Sequence, residues 1–447
     1  MQLKDIINQP CGIKFVIDNL DLHSGYTRRM LLESELMTDG AAIERQYSVI
    51  KRFFDVITDD QNKLSINTLQ HKLCNLKEIK STINNLRNHI VLNDIELFEI
   101  KHLALLSYDV QQIIKQLHLE QCTDVPDLSE VVNILDPDGM RIATFYIYDS
   151  YSERLSELRR MMKVKDDFDE ALFNEATAIE DEIRTRLSYS LSVYADEIFL
   201  AQKSLALIDL NIAKVFQMIK FGFCFPQLAT DDETSYIGLF NPEVKEIVGE
   251  DYQNVNIRFG KRPTIIMGTN MGGKTVVIKT IALCQYLFQL GFGIPAQSAK
   301  IMLQNAVFLC TTDEQSIYKG LSSFAAEMKN INEIVKASRT EKDFLALVDE
   351  PARTTNPTEG TALVSALVKI LQDRKMSLVI VTHYNINTYD NRCLRVKGFE
   401  DGKMNYELVE VMNGEVPHEA LNIAESLGVD EEWLAESRKS LSRQTIN

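Results

Sequence analysis

The sequence predicts an all-α first half followed by an α/β domain organised around a phosphate-binding loop. Three observations carry this. Apolar residues recur at three- and four-residue spacing through the first part of the chain. No glycine or proline occurs between Met140 and Phe221. After Gly222, short apolar β-rich runs alternate with helical stretches. The expected boundaries are a helical core over 1–139, long helices over 140–221 and the α/β domain over 222–447.

Each element has its own warrant. Ile43, Tyr47, Ile50, Phe53, Phe54 and Ile57 share one helical face, and the stretch from Asp94 to Leu119 is similar. Asp136-Pro137-Asp138-Gly139 is a turn signal that closes this part. Beyond it, Leu155, Leu158 and Met162, then Leu172, Ala176, Ile179, Ile183, Leu187 and Leu191, keep helical spacing. An antiparallel pair of long helices is expected, with Asp166, Asp167, Asp169 and Glu170 marking the turn between them. By itself this segment reads as a solvated face or a coiled-coil seam. In the last part, 264–267, 306–310, 345–348 and 378–382 read as buried strands. Helices are expected over 275–290, 324–337 and 360–372. Asp401-Gly402 suits a hairpin turn, and short helices over 419–427 and 431–441 close the chain.

Composition bounds the function. An apolar content of 45% and a charged content of 25% suit a soluble globular protein. No run of eighteen apolar residues suggests a membrane span, and the start, Met1-Gln2-Leu3-Lys4-Asp5, lacks the apolar core of a secretory signal. Seven cysteines without a Cys-x-x-Cys pair suit reduced thiols in a cytoplasmic protein. Acids outnumber bases 64 to 48, for a net charge of −16. Any surface that holds nucleic acid must therefore be a local basic patch.

The chemistry is concentrated in the second half. Gly268-Thr269-Asn270-Met271-Gly272-Gly273-Lys274-Thr275 fits G-x-x-x-x-G-K-[ST]. Its glycines let successive backbone N–H groups wrap phosphate oxygens, Lys274 reaches the β- and γ-phosphates, and the Thr275 hydroxyl holds Mg²⁺. An apolar strand enters the loop and a helix leaves it with its N-terminus towards the phosphates. Downstream, Phe344-Leu-Ala-Leu-Val-Asp349-Glu350 is an apolar strand ending in two acids. Asp349 is placed to order the Mg²⁺ shell and Glu350 to orient the attacking water. His383, after another strand, is a candidate sensor of the γ-phosphate; histidines in such places also serve purely structural roles.

These segments resemble the MutS family. The Asn270-Met271 pair within the loop, Asp313-Glu-Gln-Ser-Ile with Gly320-Leu-Ser-Ser-Phe-Ala-Ala-Glu-Met328, Ala352-Arg353-Thr354-Thr355-Asn356 after Asp349-Glu350, and Thr382-His383-Tyr384 are similar to that family's motifs. Ala420 to Gly428 resembles its closing helix. Lys274-Thr275-Val276 and Ile294-Pro295-Ala296 are most like the bacterial branch linked to recombination control. The likeness is specific over 222–447 and fainter upstream, at Ile43-Glu44-Arg45 and Leu135 to Gly139. It implies an ABC-type P-loop ATPase domain preceded by an all-α core with long lever helices, using ATP and Mg²⁺. Two such domains would pair as a homodimer or heterodimer, with Ser322 and Ser323 completing the partner's site. Phe240, before Asn241-Pro242, falls where the family stacks adenine.

The expected departures concern domains. The family's mismatch-reading N-terminal domain, its DNA clamp between the lever arms and the recombination branch's nuclease-like tail have no counterpart in this sequence. Phe168 to Glu170 and Phe173 to Glu175 each match Phe-x-Glu, read here as chance inside a helical stretch. Two outputs stay open. One is ATP-driven arm movement on mismatched or branched DNA, in repair or recombination. The other is remodelling of a partner enzyme, as in reactivating factors for cobalamin-dependent lysine 5,6-aminomutase, which clamp-less proteins of this kind resemble.

Overall fold

The computed structural model describes residues 1–164, 168–268, 273–311, 323–386, 391–400, 403–411, 424–425 and 428–444. Its contacts divide the chain into two units. One gathers Met1–Leu20, Glu35–Ser48 and Gln217–Asn447; the other holds Asp21–Ser34 and Val49–Phe216. This grouping differs from the division at 139 and 221 expected from sequence, because two N-terminal stretches pack with the α/β region. Tyr47 donates its hydroxyl to the carbonyls of Phe288 (3.2 Å) and Phe292 (2.8 Å), and Gln289 donates to the carbonyl of Met37 (2.8 Å). No local periodicity reports contacts between residues so far apart in sequence.

The first half is helical: α1 (Leu3–Ile6), α2 (Ile13–Asp18), α3 (Gly25–Leu32), α4 (Gly40–Thr58), α5 (Lys63–Leu73), α6 (Lys80–Arg87), α7 (Asp94–Gln116), α8 (Ser129–Leu135), α9 (Glu153–Val164), α10 (Glu170–Ser192) and α11 (Ala195–Phe221). α7 starts where Asn93 accepts from the N–H groups of Ile95 and Glu96 while Glu96 accepts from Asn93 N–H, a reciprocal cap. The turn after α8 is organised by Asp136. Its carboxylate accepts from Lys101 Nζ (2.8 Å) and Arg141 N–H (2.7 Å), and Lys101 also donates to the Tyr148 hydroxyl (2.7 Å). Burial pushes the Asp136 carboxyl up, but those donors outweigh it and hold it below the usual range.

Among the described residues the glycine-free segment holds three helices: α9 and α10, which flank the acidic cluster and pair through Arg154–Glu175 and Arg159–Glu180, and α11, which the sequence did not separate. α10 ends at Ser192, and α11 begins three residues later, at Ala195. No Gly or Pro marks the break. Ser188 donates to the carbonyl of Arg184 and Ser192 to that of Tyr189, so side chains compete for the helix's own acceptors. Of the acidic cluster, Asp169 caps α10 by accepting from Ala171 and Leu172 N–H; Asp166 and Asp167 lie outside the described residues. Among the described residues no helix is long and apolar enough to cross a membrane.

The α/β region contains two sheets. Its strands are β1 (Pro226–Leu228), β2 (Glu233–Leu239), β3 (Val255–Gly260), β4 (Thr264–Met267), β5 (Ser298–Ile301), β6 (Val307–Cys310), β7 (Leu345–Asp349), β8 (Ser377–Thr382), β9 (Arg392–Glu400) and β10 (Lys403–Glu410). The larger sheet has the order β10-β9-β4-β8-β7-β6, parallel except for the β9–β10 hairpin. Its interior strands β4, β7 and β8 are buried throughout, which is why they read as unbroken apolar runs. The helices of this region are α12 (Pro242–Val248), α13 (Lys274–Gln289), α14 (Ser323–Thr340), α15 (Pro357–Leu371) and α16 (Glu431–Gln444). Ile334 of α14 and Val364 and Val368 of α15 share a core with Ile265, Val348 and Ile380 of the sheet. The hairpin's Asp401-Gly402 and most of the 419–427 helix fall outside the described residues.

The second sheet, β1-β5-β2-β3, has no counterpart in the strands expected from sequence. Its strands are short, β3 alternates buried and exposed residues, and the β2–β3 register shifts between Tyr236 and Leu239. Gly238 lies in that shift at φ 64°, where a Cβ would come within 2.7 Å of the Gln297 side chain. Cys11, Cys284, Cys310 and Cys393 are buried.

Candidate nucleotide site

Strand order assembles the site. β4, β8 and β7 are parallel neighbours, with Met267 beside Thr382 and Asp349 beside Val381, so their carboxyl ends share one edge. Gly268, His383 and Glu350 each follow immediately. Three motifs scattered over more than a hundred residues therefore meet where ligands bind in parallel α/β sheets.

Gly268 (φ 139°) and Gly273 (φ 65°) bound the loop in backbone regions that favour glycine. Thr269, Asn270, Met271 and Gly272 lie outside the described residues. Gly273 is the N-cap of α13, whose first residue is Lys274. The Lys274 side chain is buried, and its Nζ donates to Gly268 O (2.9 Å) and stands 3.8 Å from Glu350 Oε1. Burial lowers the Lys274 pKa, opposed by the charges of Glu350 and Asp349.

Asp349 is 3% exposed, and burial raises its carboxyl; a hydrogen bond donated by the Thr275 hydroxyl opposes that rise and the Glu350 charge adds to it. Its Oδ1 is buried without a hydrogen-bond partner. A buried carboxylate oxygen left in this state, beside a threonine hydroxyl, has the chemistry of a Mg²⁺ ligand pair. Glu350 is held between Lys274 and Arg353, whose Nη1 lies 3.4 Å from Oε2. His383 Nδ1 is likewise buried without a partner, and burial lowers the imidazole pKa, keeping the ring neutral at pH 7. The turn after β7 carries strain: Glu350 (φ 45°) and Ala352 (φ 61°) are both left-handed. Such residues cost about 1–3 kcal/mol each and persist where surrounding contacts hold them.

Beside Gly273 lies a cavity of about 450 Å³ lined by Val244, Val248, Tyr252, Val276, Thr280 and Tyr406, among others. Gln253 stitches its rim, donating to Met404 O (2.8 Å) and accepting from Tyr406 N–H (3.1 Å). Phe240 does not line this cavity. Its ring is 5% exposed, packs 6.0 Å from that of Phe223 and sits 4.3 Å below Lys245 Nζ. Ser322 lies outside the described residues; Ser323 opens α14, and its side chain is not among those described. Sequence reasoning did not single out Glu327, Tyr252 or Tyr406 as site residues. Tyr252 and Tyr406 carry no local signal, and Glu327 stood out only as part of the Gly320–Met328 segment.

Residues 264–427 match the family model for MutS domain V. Proteins named Endonuclease MutS2 are similar to this chain. That of Caldanaerobacter subterraneus subsp. tengcongensis is 30% identical over 278 residues, 60% of this chain and 34% of the relative. That of Clostridium novyi is 30% identical over 251 residues, 54% of this chain and 31% of the relative. That of Streptococcus sanguinis is 33% identical over 180 residues, 40% of this chain and 22% of the relative. The matched part of the chain thus spans about a third of the first two relatives, 34% and 31% of their lengths. The shared segment contains β4, the loop, Asp349-Glu350 and His383, so residues 264–427 of this chain are similar to MutS domain V.

Proposed function

We propose that this chain binds ATP with Mg²⁺ and hydrolyses it, working as a dimer whose paired α/β domains move the long helices. The observation that carries this is the meeting of Lys274, Thr275, Asp349, Glu350 and His383 at one edge of three parallel strands. Gly273 and the N-terminus of α13 favour the phosphates, and Lys274 adds its charge at the β- and γ-positions. Thr275 and Asp349 would hold Mg²⁺, which supplies charge neutralisation on the phosphoryl oxygens. Glu350, fixed between Lys274 and Arg353, orients a water for attack, and neutral His383 is able to hydrogen-bond the γ-phosphate. The cavity beside Tyr406 has the apolar walls that suit a purine base, and Ser322 and Ser323 are proposed to complete the site of a partner subunit. The test is turnover: purified chain should hydrolyse ATP in a Mg²⁺-dependent manner, and absence of both binding and hydrolysis in every oligomeric state would overturn the reading.

For the output we propose mismatched or branched DNA. The relatives are named as endonucleases, enzymes that act on nucleic acid, and that supports this choice. The second reading, remodelling of a partner enzyme, is favoured by the surface near the start of α10. There Phe168 is 77% and Phe173 48% exposed, their rings 5.5 Å apart, in a chain of net charge −16. Affinity for a branched duplex that falls steeply with salt supports DNA. Failure to bind it near physiological salt, with ATP present, sinks that output and leaves the protein partner.

A further inference from the structure

The turn that carries Glu350 is gripped at one residue from two directions. Ala352 is completely buried. Its N–H donates to Glu327 Oε1 of α14 (3.0 Å), and its carbonyl accepts from the hydroxyl of Tyr384, just beyond β8 (2.7 Å). Tyr384 is fixed in turn, because its N–H donates to Thr382 Oγ1 (3.1 Å). Gly360, in the first turn of α15, makes room for the phenol: a Cβ there would fall 2.4 Å from the hydroxyl oxygen. Glu350 itself is tied through its backbone, its N–H donating to Val381 O (3.0 Å).

These bonds act on a backbone that would not hold its shape unaided, since Glu350 and Ala352 are both left-handed and neither is glycine. We propose that Glu327 and Tyr384 are positioning residues for hydrolysis. They lock the 350–353 turn so that the Glu350 carboxylate stays between Lys274 and Arg353. Glu327 lies one helical turn beyond Ser323, so the clamp makes the geometry of Glu350 depend on where the start of α14 sits. Anything that draws that helix end, including a nucleotide bound by a partner subunit, is then felt at Glu350 through a single hydrogen bond.

The proposal rests on the ATPase reading, and its test separates the two. Three full-length variants are compared with wild type: Glu327→Ala, Glu327→Gln and Tyr384→Phe. Gln keeps an acceptor oxygen for Ala352 N–H, whereas Ala removes it; Phe removes only the phenol hydroxyl. The readouts are steady-state ATP hydrolysis, affinity for a fluorescent ATP analogue, and hydrogen–deuterium exchange of the 350–356 backbone. E327A and Y384F should lower kcat about tenfold or more with unchanged nucleotide affinity. Exchange at 350–356 should quicken in both, and E327Q should stay near wild type in all three readouts. Wild-type exchange and kcat in E327A and Y384F would overturn the clamp. So would an E327Q as impaired as E327A with exchange unaltered, which would mean that the charge matters and the bond does not. If wild type itself fails to hydrolyse ATP, the ATPase reading falls, while the exchange data still decide whether the clamp exists. Should E327A fail to fold, Y384F decides alone.

Discussion

The edge of the six-stranded sheet and the helices α9 and α10 handle charge in opposite ways. At the edge, Lys274, Asp349 and Glu350 are 3%, 3% and 6% exposed, and an oxygen of Asp349 lacks a partner. Along the helices, Arg154 pairs with Glu157 and Glu175, and Arg159 with Asp149 and Glu180, mostly at the surface. Charge kept out of water is expensive, and an unsatisfied buried carboxylate is more so. Surface pairs cost little and contribute little. The contrast teaches where this chain is constrained: the sheet edge tolerates few residue types, whereas surface positions on the helices tolerate many.

The largest way to break the contrast is at the edge. Lys274→Ala should reduce ATP turnover by about 10²–10³-fold, the scale of losing a preorganised charge at the reacting phosphate. A reduction of less than a few-fold, measured under saturating ATP, would show that the buried lysine does not serve phosphates.

Next comes Lys101–Asp136, an ion pair in the helical unit that is buried like the edge. Lys101→Met leaves Asp136 buried without its cation and should destabilise the protein by about 3–5 kcal/mol in urea unfolding. The Asp136 pKa is depressed in the folded state, so its contribution is present above the usual carboxylate pKa. It is lost as pH falls through the lower folded value. Stability should therefore drop below roughly pH 4, and Asp136→Asn should flatten that dependence. An unchanged acid limb in D136N would remove Asp136 from the explanation.

A smaller effect is expected at Gly360. Its Ala variant must push aside the Tyr384 phenol, an overpacking cost of about 1–3 kcal/mol. Unaltered stability would mean that the phenol moves freely and is not held against Ala352. The smallest effect belongs to the exposed aromatics: Phe168→Ser and Phe173→Ser should change stability by less than about 0.5 kcal/mol and leave ATP turnover intact. Binding to a cargo protein should weaken if the second output holds, and affinity for branched DNA should not.

What the sequence disclosed follows the same contrast. β4, β7 and β8 were legible because both their faces are buried and leave unbroken apolar runs. The residues at their ends were legible because phosphate chemistry admits few residue types. The β1-β5-β2-β3 sheet was not, since its strands are short and its register bends at Gly238. The break between α10 and α11 was hidden because no Gly or Pro marks it. Phe240 was placed at a base-binding position by likeness alone; its ring is enclosed between Phe223 and Lys245, while Tyr406, from the far hairpin, lines the cavity beside Gly273. Glu327 and Tyr384 reach Ala352 from two separate elements, and only the folded chain brings them to one residue.

The claim on which the rest depends is that Glu350 orients the attacking water at a site that binds ATP through Lys274. Its most direct test is ATP binding and single-turnover hydrolysis by Glu350→Gln beside wild type. Gln keeps the shape of the side chain and removes its charge, so ATP should bind with wild-type affinity while hydrolysis falls by about 10²–10⁴-fold. Hydrolysis at the wild-type rate by E350Q would contradict the assignment and move the catalytic group elsewhere.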